Sequence, residues 1–265
     1  MGAVHDSAEI SGWGAQLQLA GHGTAAVARI LGRLTDAELD GDSLLPGWSR
    51  RHVVAHLASN ARAMTRLLLW AETGVETVMY ASADVRNDEI EKDSKLRPDE
   101  LCVSFSESAG LLERAWRDLP KDRRMYPVRN GQGAMILVSD TVWMRTRELW
   151  VHAVDLNEGG SFRDVPAAVL NRLLGDIQRT WAGRGEDANR RLVVTDAPDS
   201  SVGPADMLPT GMGPTDAAAP EIVSGTLVDL TAWASGRGSA GVTSSTGETP
   251  IAARWLDPPA LIRQL

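Results

Sequence analysis

The chain has 265 residues, 43% of them hydrophobic, which is enough to bury one large core or two ordinary ones and too apolar for intrinsic disorder. Lys and Arg number 27 against 35 Asp and Glu, a net charge of −8. That balance excludes a general nucleic-acid binder, which needs clustered cations to meet phosphates, and favours a protein that meets small ligands.

The first residues, 1–9, hold Asp6 and Glu9 and no apolar run, so no signal peptide is expected there. Over 12–34, Trp13, Leu17, Val27, Ile30, Leu31 and Leu34 form an irregular helical stripe, weakened in its middle by Gly21 and Gly23. Pro46-Gly47 breaks the chain, and Ser49 is a suitable N-cap for the next helix. From there to Ala71 the stripe is regular: Val53, His56, Leu57, Asn60, Ala61, Met64, Leu67 and Leu68 recur at steps of three and four. A third helix starts at Pro98-Asp99-Glu100, carries Leu101, Phe105, Leu112 and Trp116, and ends at Pro120. Residues 121–138 read as loop with a short extended piece at Met135 to Val138. A fourth helix from Ser139 or Asp140 to Leu156 is apolar on several sides and belongs deep in a bundle.

The second half changes character. A helix over 166–182 precedes a short strand at Leu192 to Thr195, and the proline- and glycine-rich stretch 197–220 reads as a long loop. Glu221 to Val223 reads as a strand and Leu227 to Ala234 as a helix closed by Gly236. The tail from Gly238 has little periodicity. The expected class is therefore α+β, mainly helical, with a four-helix bundle over 1–160 and a small α/β domain over 161–265. Nowhere does an apolar stretch approach the roughly 20 residues of a membrane span. The nine Trp are expected to fill the core.

The residues with chemical promise lie in the first half. His56 interrupts an apolar face, and a lone histidine there is ordinarily a satisfied core residue. Glu148 and His152, four apart on the most apolar helix, share one face. A buried carboxylate needs a partner or a cation. Two imidazoles and one carboxylate make the three-ligand pattern of a catalytic zinc site, with one position open; a surface Glu148–His152 pair beside a core His56 is the competing reading. His52, one turn before His56, is an alternative ligand. Asn60, one turn after it, is a candidate hydrogen-bond donor to substrate, and Asp155 a candidate to orient His152. In the second half, Arg237 stands between two glycines and can grip a carboxylate, or simply complement a helix end. The single cysteine, Cys102, has no histidine near it in sequence and reads as packing; one free thiol excludes a disulfide framework and suits a reducing compartment.

Three segments carry a resemblance: Leu45-Pro46-Gly47-Trp48-Ser49 through His56-Leu57, Trp143 through Leu156 with its Arg-Glu-Leu-Trp-Val-His core, and Ser235-Gly236-Arg237-Gly238 through Thr243-Ser244-Ser245-Thr246-Gly247. Together the sequence resembles the mycothiol-dependent maleylpyruvate isomerases, a branch of the wider DinB-like thiol-dependent enzymes. The resemblance implies a DinB-like four-helix bundle followed by a domain similar to sterol-carrier-like modules. It implies a divalent metal, zinc by expectation, on His56, Glu148 and His152, with mycothiol as thiol cofactor. It puts the essential arginine at Arg237, in both catalysis and substrate binding, with His56 also counted as catalytic. The implied reaction is cis–trans isomerisation of maleylpyruvate to fumarylpyruvate in gentisate-type aromatic degradation, by a monomeric cytoplasmic enzyme with no nucleic-acid or membrane partner. A mycothiol S-transferase acting on other electrophiles is the alternative; a binding module with a structural metal and a metal-dependent hydrolase are the remaining ones.

Overall fold

The computed structural model describes residues 12–186, 189–196 and 220–255. It is mainly helical, as expected. The chain divides into two compact units, one up to Ser161 and one from Phe162 onward.

The first unit is a helical bundle. Its elements are α1 (Trp13–Leu31), α2 (Asp36–Leu39), α3 (Arg50–Thr73), α4 (Ala83–Asp93), α5 (Pro98–Asp118) and α6 (Asp140–Asp155), with a hairpin of β1 (Pro127–Arg129) and β2 (Met135–Leu137) before α6. The hairpin is antiparallel, with Val128 opposite Ile136. Helix α3 packs on α4, α5 and α6, and α1 packs on α5 and α6. The four long helices match the expected ones within a few residues. Helix α1 runs straight through Gly21 and Gly23, and a Cβ at Gly23 would lie 2.9 Å from Leu149 Cβ and 3.2 Å from Trp150 Nε1. The close approach of α6 therefore needs a residue without a side chain at Gly23. Helix α3 ends at Gly74, whose φ of 75° is the left-handed conformation that glycine adopts without strain.

The apolar core of this unit comes in two clusters. One gathers Val27, Ile30, Val53, Leu57, Phe105, Leu149 and Leu156; the other Ala20, Met64, Leu67, Leu112, Trp116 and Val142. Where one cluster gives way to the other along the helices, the buried residues turn polar: Ser59 and Asn60 on α3, Ser108 on α5, Arg145 and Thr146 on α6. A polar layer across a bundle is costly unless its groups are paired, and this layer adjoins the candidate site. Seven of the nine Trp are buried, and Trp13 and Trp143 are half-buried.

The second unit contains α7 (Ala167–Gly183), β3 (Arg190–Val194), β4 (Glu221–Gly225), α8 (Leu227–Ala234) and β5 (Thr243–Ser244). The sheet order is β3-β4-β5. Strands β3 and β4 are parallel with Leu192 opposite Val223, and β5 adds an antiparallel edge. Helix α8 and β3 pack on each other, and Trp181 of α7 meets Trp233 of α8 edge to face at 5.8 Å. The long loop expected over 197–220 lies outside the described residues, apart from Pro220. None of the described helices is long and apolar enough to cross a membrane.

Candidate metal centre

The site is built on α3 and α6, which pack face to face. Helix α3 presents His56, 5% exposed, among Val53, Leu57 and Asn60. Helix α6 presents Glu148 and, one turn on, His152. Glu148 Oε2 lies 3.0 Å from His56 Nε2 and 3.3 Å from His152 Nε2. The imidazole rings meet edge to face with centroids 4.9 Å apart. One ligand atom from each residue falls within 4.8 Å of the others, and among the described residues these three form the group able to hold a metal ion.

The surroundings differ for the two histidines. His152 Nδ1 donates to Asp155 Oδ2 at 2.8 Å, and Asp155 is fully buried. This fixes the ring and leaves Nε2 facing Glu148, the carboxylate–histidine arrangement common behind metal ligands. Burial alone would push His152 down, but the bonds and charges of Asp155 and Glu148 outweigh it and hold it up at about 9. Burial would likewise raise Glu148, yet its bonds to His152 and His56 keep its carboxyl well below the usual range. His56 goes the other way: burial pushes it down to about 4 against the pull of Glu148. Its Nδ1 faces Arg86 Nη2 of α4 at 3.2 Å, and the Trp48 ring stands 5.7 Å away.

His52 is turned elsewhere. Its Nδ1 accepts from the Ser49 backbone N–H at 3.2 Å, its Nε2 lies 3.2 Å from Glu91 of α4, and its ring stacks on Trp48. It closes the N-terminus of α3, so His56 is the member of this pair that joins Glu148 and His152. Asn60 is buried with its Oδ1 accepting from Arg145 Nη1 at 2.8 Å, and Leu57 O accepts from the same nitrogen at 2.7 Å. The carbonyl end of Asn60 thus holds Arg145. Cys102 is half-buried, and burial with the nearby Asp36 and Asp99 charges raises its thiol pKa, which suits packing.

Arg237 belongs to the second unit. The chain after α8 closes as a paired C-terminal motif: Gly236 N–H donates to Trp233 O at 2.9 Å and Arg237 N–H to Ala232 O at 2.8 Å, with Gly236 at φ 79°. Its position is fixed by backbone, and its Nη1 donates to Ser235 O. The hydroxyls of the nearby Thr-Ser-Ser-Thr run are used within the unit: Ser244 Oγ and Thr246 Oγ1 donate to Glu221 Oε1 at 2.6 and 3.3 Å. They brace the sheet edge.

Two parts of this surrounding were not foreseen. Arg86 and Glu89 come from α4, whose sequence Ala-Asp-Val-Arg-Asn-Asp-Glu-Ile-Glu-Lys-Asp buries only Ile90 and so shows no stripe. The burial of Ser59 and of the Tyr80 hydroxyl beside them had no signal of its own.

The family model described as the mycothiol maleylpyruvate isomerase N-terminal domain matches residues 20–157, more than half of the chain. The chain belongs to this family. Helices α3 and α6, with all three candidate ligands, lie inside the matched span. The family resemblance extends past it: a crystal structure of a mycothiol-dependent maleylpyruvate isomerase is 38% identical and superposes with a TM-score of 0.83 over 92% of this chain and 97% of that one. A crystal structure of a histidine-to-alanine variant of such an enzyme superposes with a TM-score of 0.82 over the same shares, again at 38% identity. A comparison with curated proteins gives no match. The first unit thus has the DinB-like fold that the sequence resemblance implied.

Proposed function

We propose that the protein catalyses the mycothiol-dependent cis–trans isomerisation of maleylpyruvate to fumarylpyruvate. The observation that carries this reading is the convergence of His56, Glu148 and His152, braced by Asp155, in a chain that aligns end to end with an isomerase of that name.

The donor set fits a divalent metal, and zinc is its best match: two neutral imidazole nitrogens and a carboxylate, three protein ligands, leave a position for another molecule. Glu148 is ionised and His152 is oriented by Asp155, both as a metal ligand requires. His56 is less prepared, because its Nδ1 meets the Arg86 guanidinium, itself a donor. Holding a cation through Nε2 puts the ring proton on Nδ1, so Arg86 has to withdraw. A metal bound there supplies positive charge that lowers a thiol pKa and polarises a carbonyl oxygen.

The remaining chemistry follows from the double bond. Rotation about it requires a nucleophile to add and leave. The thiolate sulfur of mycothiol adds to an alkene carbon, the electron pair moves to the conjugated carbonyl as an enolate, the new single bond rotates, and the enolate expels the thiolate to give the trans alkene. The chain's own Cys102 has a raised pKa and takes no part. Arg237 is the proposed grip on a substrate carboxylate, where its charge also offsets that of the enolate. The enzyme is proposed to work in the cytoplasm, where a low-molecular-weight thiol stays reduced.

The deciding experiment follows maleylpyruvate absorbance with purified protein, with and without mycothiol. Rapid formation of fumarylpyruvate only with the thiol is the expected result. Accumulation of a stable thiol adduct overturns isomerisation in favour of an S-transferase, and turnover without thiol overturns the thiol mechanism.

A further inference from the structure

The polar layer beside the metal centre contains a buried guanidinium with one nitrogen left without a hydrogen bond. Arg145 is 1% exposed. Its Nη1 is used by Leu57 O and Asn60 Oδ1, but its Nη2 is buried with no hydrogen-bond partner. Among the described residues no carboxylate lies within ion-pair distance of it. Burial is severe enough to push even this guanidinium down to about 10. The Glu148 carboxylate, one turn on along α6, offsets part of that cost, but a buried N–H group left without an acceptor is rare.

A second orphan stands nearby. Tyr80 Oη is buried and makes no hydrogen bond of ordinary length and angle. Ser59 Oγ, which donates to Glu89 Oε2 at 2.8 Å, stands beside it as an acceptor. Tyr80 and Arg145 are close enough to act on each other electrostatically, and Arg86, in contact with His56, acts on Tyr80. Ser59, Asn60 and His56 occupy consecutive turns of α3, and Arg145 precedes Glu148 by three residues on α6. The two orphans therefore flank the same stretch of α3 and α6 that carries the candidate ligands.

We propose that Arg145 Nη2 and Tyr80 Oη form a carboxylate-binding subsite inside the helical unit, next to the His56–Glu148–His152 centre, and that it takes one carboxylate of a dianionic substrate. One guanidinium edge and one hydroxyl offer two donors, matching the two oxygens of a carboxylate. The guanidinium charge favours an anion over a sugar hydroxyl. Asn60 is then a positioning residue, since it and Leu57 O hold Nη1 and thereby aim Nη2. Arg86 adds a second cation once it leaves His56. The dianionic nature of the substrate rests on the proposed isomerase reaction; the subsite itself rests on the two unpaired donors.

The test uses maleate, a small cis-dicarboxylate, titrated calorimetrically into the metal-loaded protein, alongside the maleylpyruvate assay. Tyr80→Phe removes one donor without changing shape, and Arg145→Gln removes the charge. Both are expected to weaken maleate binding about tenfold or more, as loss of a hydrogen bond to a charged group does, with metal content unchanged and KM for maleylpyruvate raised more than kcat is lowered. Should Arg145→Gln fail to fold, Tyr80→Phe decides alone. Binding of maleate that Tyr80→Phe weakens, in a protein that does not isomerise maleylpyruvate, upholds the subsite and removes the isomerase reading. Isomerase activity with maleate affinity and KM unchanged in the folded variants overturns the subsite and leaves the reaction standing. No maleate binding to the unaltered protein also overturns it.

Discussion

His52 and His56 show how one turn of helix separates two roles. Both are four-step neighbours on α3, and spacing alone leaves either as a ligand. The structure gives His52 to Ser49 and Glu91 at the helix start, and His56 to Glu148. His56→Ala is therefore expected to lose stoichiometric metal, while His52→Ala keeps it and loses about 1 kcal/mol of stability through the missing cap. Metal analysis and denaturant unfolding of both variants check this, and metal retained in His56→Ala would reject the proposed trio. The same cluster sets a pH dependence. His152, held up at about 9, carries a proton through the neutral range, whereas His56, pushed down to about 4, is already neutral and Glu148 is ionised. A cation has to displace the His152 proton, so apparent metal affinity should rise with pH, by about tenfold per unit, and level off above about 9. Chelator competition at three pH values reads this directly; an affinity flat between neutral pH and 9 contradicts it.

At the scale of elements, Gly21 and Gly23 of α1 make opposite predictions. Both weaken the helix in sequence, yet the helix is unbroken. Nothing lies within 4 Å of a Cβ at Gly21, so Gly21→Ala should gain up to about 1 kcal/mol of helix propensity. At Gly23 the added Cβ meets Leu149 Cβ at 2.9 Å, which is no flexible chain end, so Gly23→Ala should lose about 1 kcal/mol or more despite that gain. Urea unfolding of the two variants tests the α1–α6 approach; equal stabilisation by both rejects it. These elements also show what the sequence made legible. The long helices were readable because each buries a stripe at steps of three and four, and α8 was readable to the residue because Thr226 caps it and Gly236 closes it. Helix α4 was not, since its only buried residue is Ile90 and it is held by polar contacts to α3: Glu91 to His52, Glu89 to Ser59 and Asp93 to Arg62. The β1–β2 hairpin was half seen, because three-residue strands give no alternation to count. The same limit hid part of the site. Glu148 and His152 could be paired from spacing within one helix, but the convergence of Arg145, Asn60 and Tyr80 comes from three separate segments and has no local pattern.

Across the whole molecule, the proposed metal ligands belong to one unit and the proposed catalytic arginine to the other, which makes the two contributions separable by experiment. Arg237 is held by backbone bonds from Gly236 and Arg237 N–H to the end of α8, and none of them involves its side chain. Arg237→Ala loses the Nη1 bond to Ser235 O and leaves that turn intact. A fold-wide collapse is thus not expected, and neither is a loss of metal, because among the described residues the candidate ligands all lie in the first unit. If the guanidinium grips a carboxylate and offsets enolate charge, its removal should lower kcat/KM by at least two to three orders of magnitude, the size of effect seen when a preorganised charge-stabilising donor is taken away. Lysine at this position should restore only part of that, since it keeps the charge but not the fork. Metal content and melting temperature close to those of the unaltered protein, with turnover abolished, would assign the second unit a direct chemical role. Near-normal turnover in Arg237→Ala would confine the chemistry to the helical unit, where Arg145, Arg86 and Arg147 are buried or half-buried cations beside the centre.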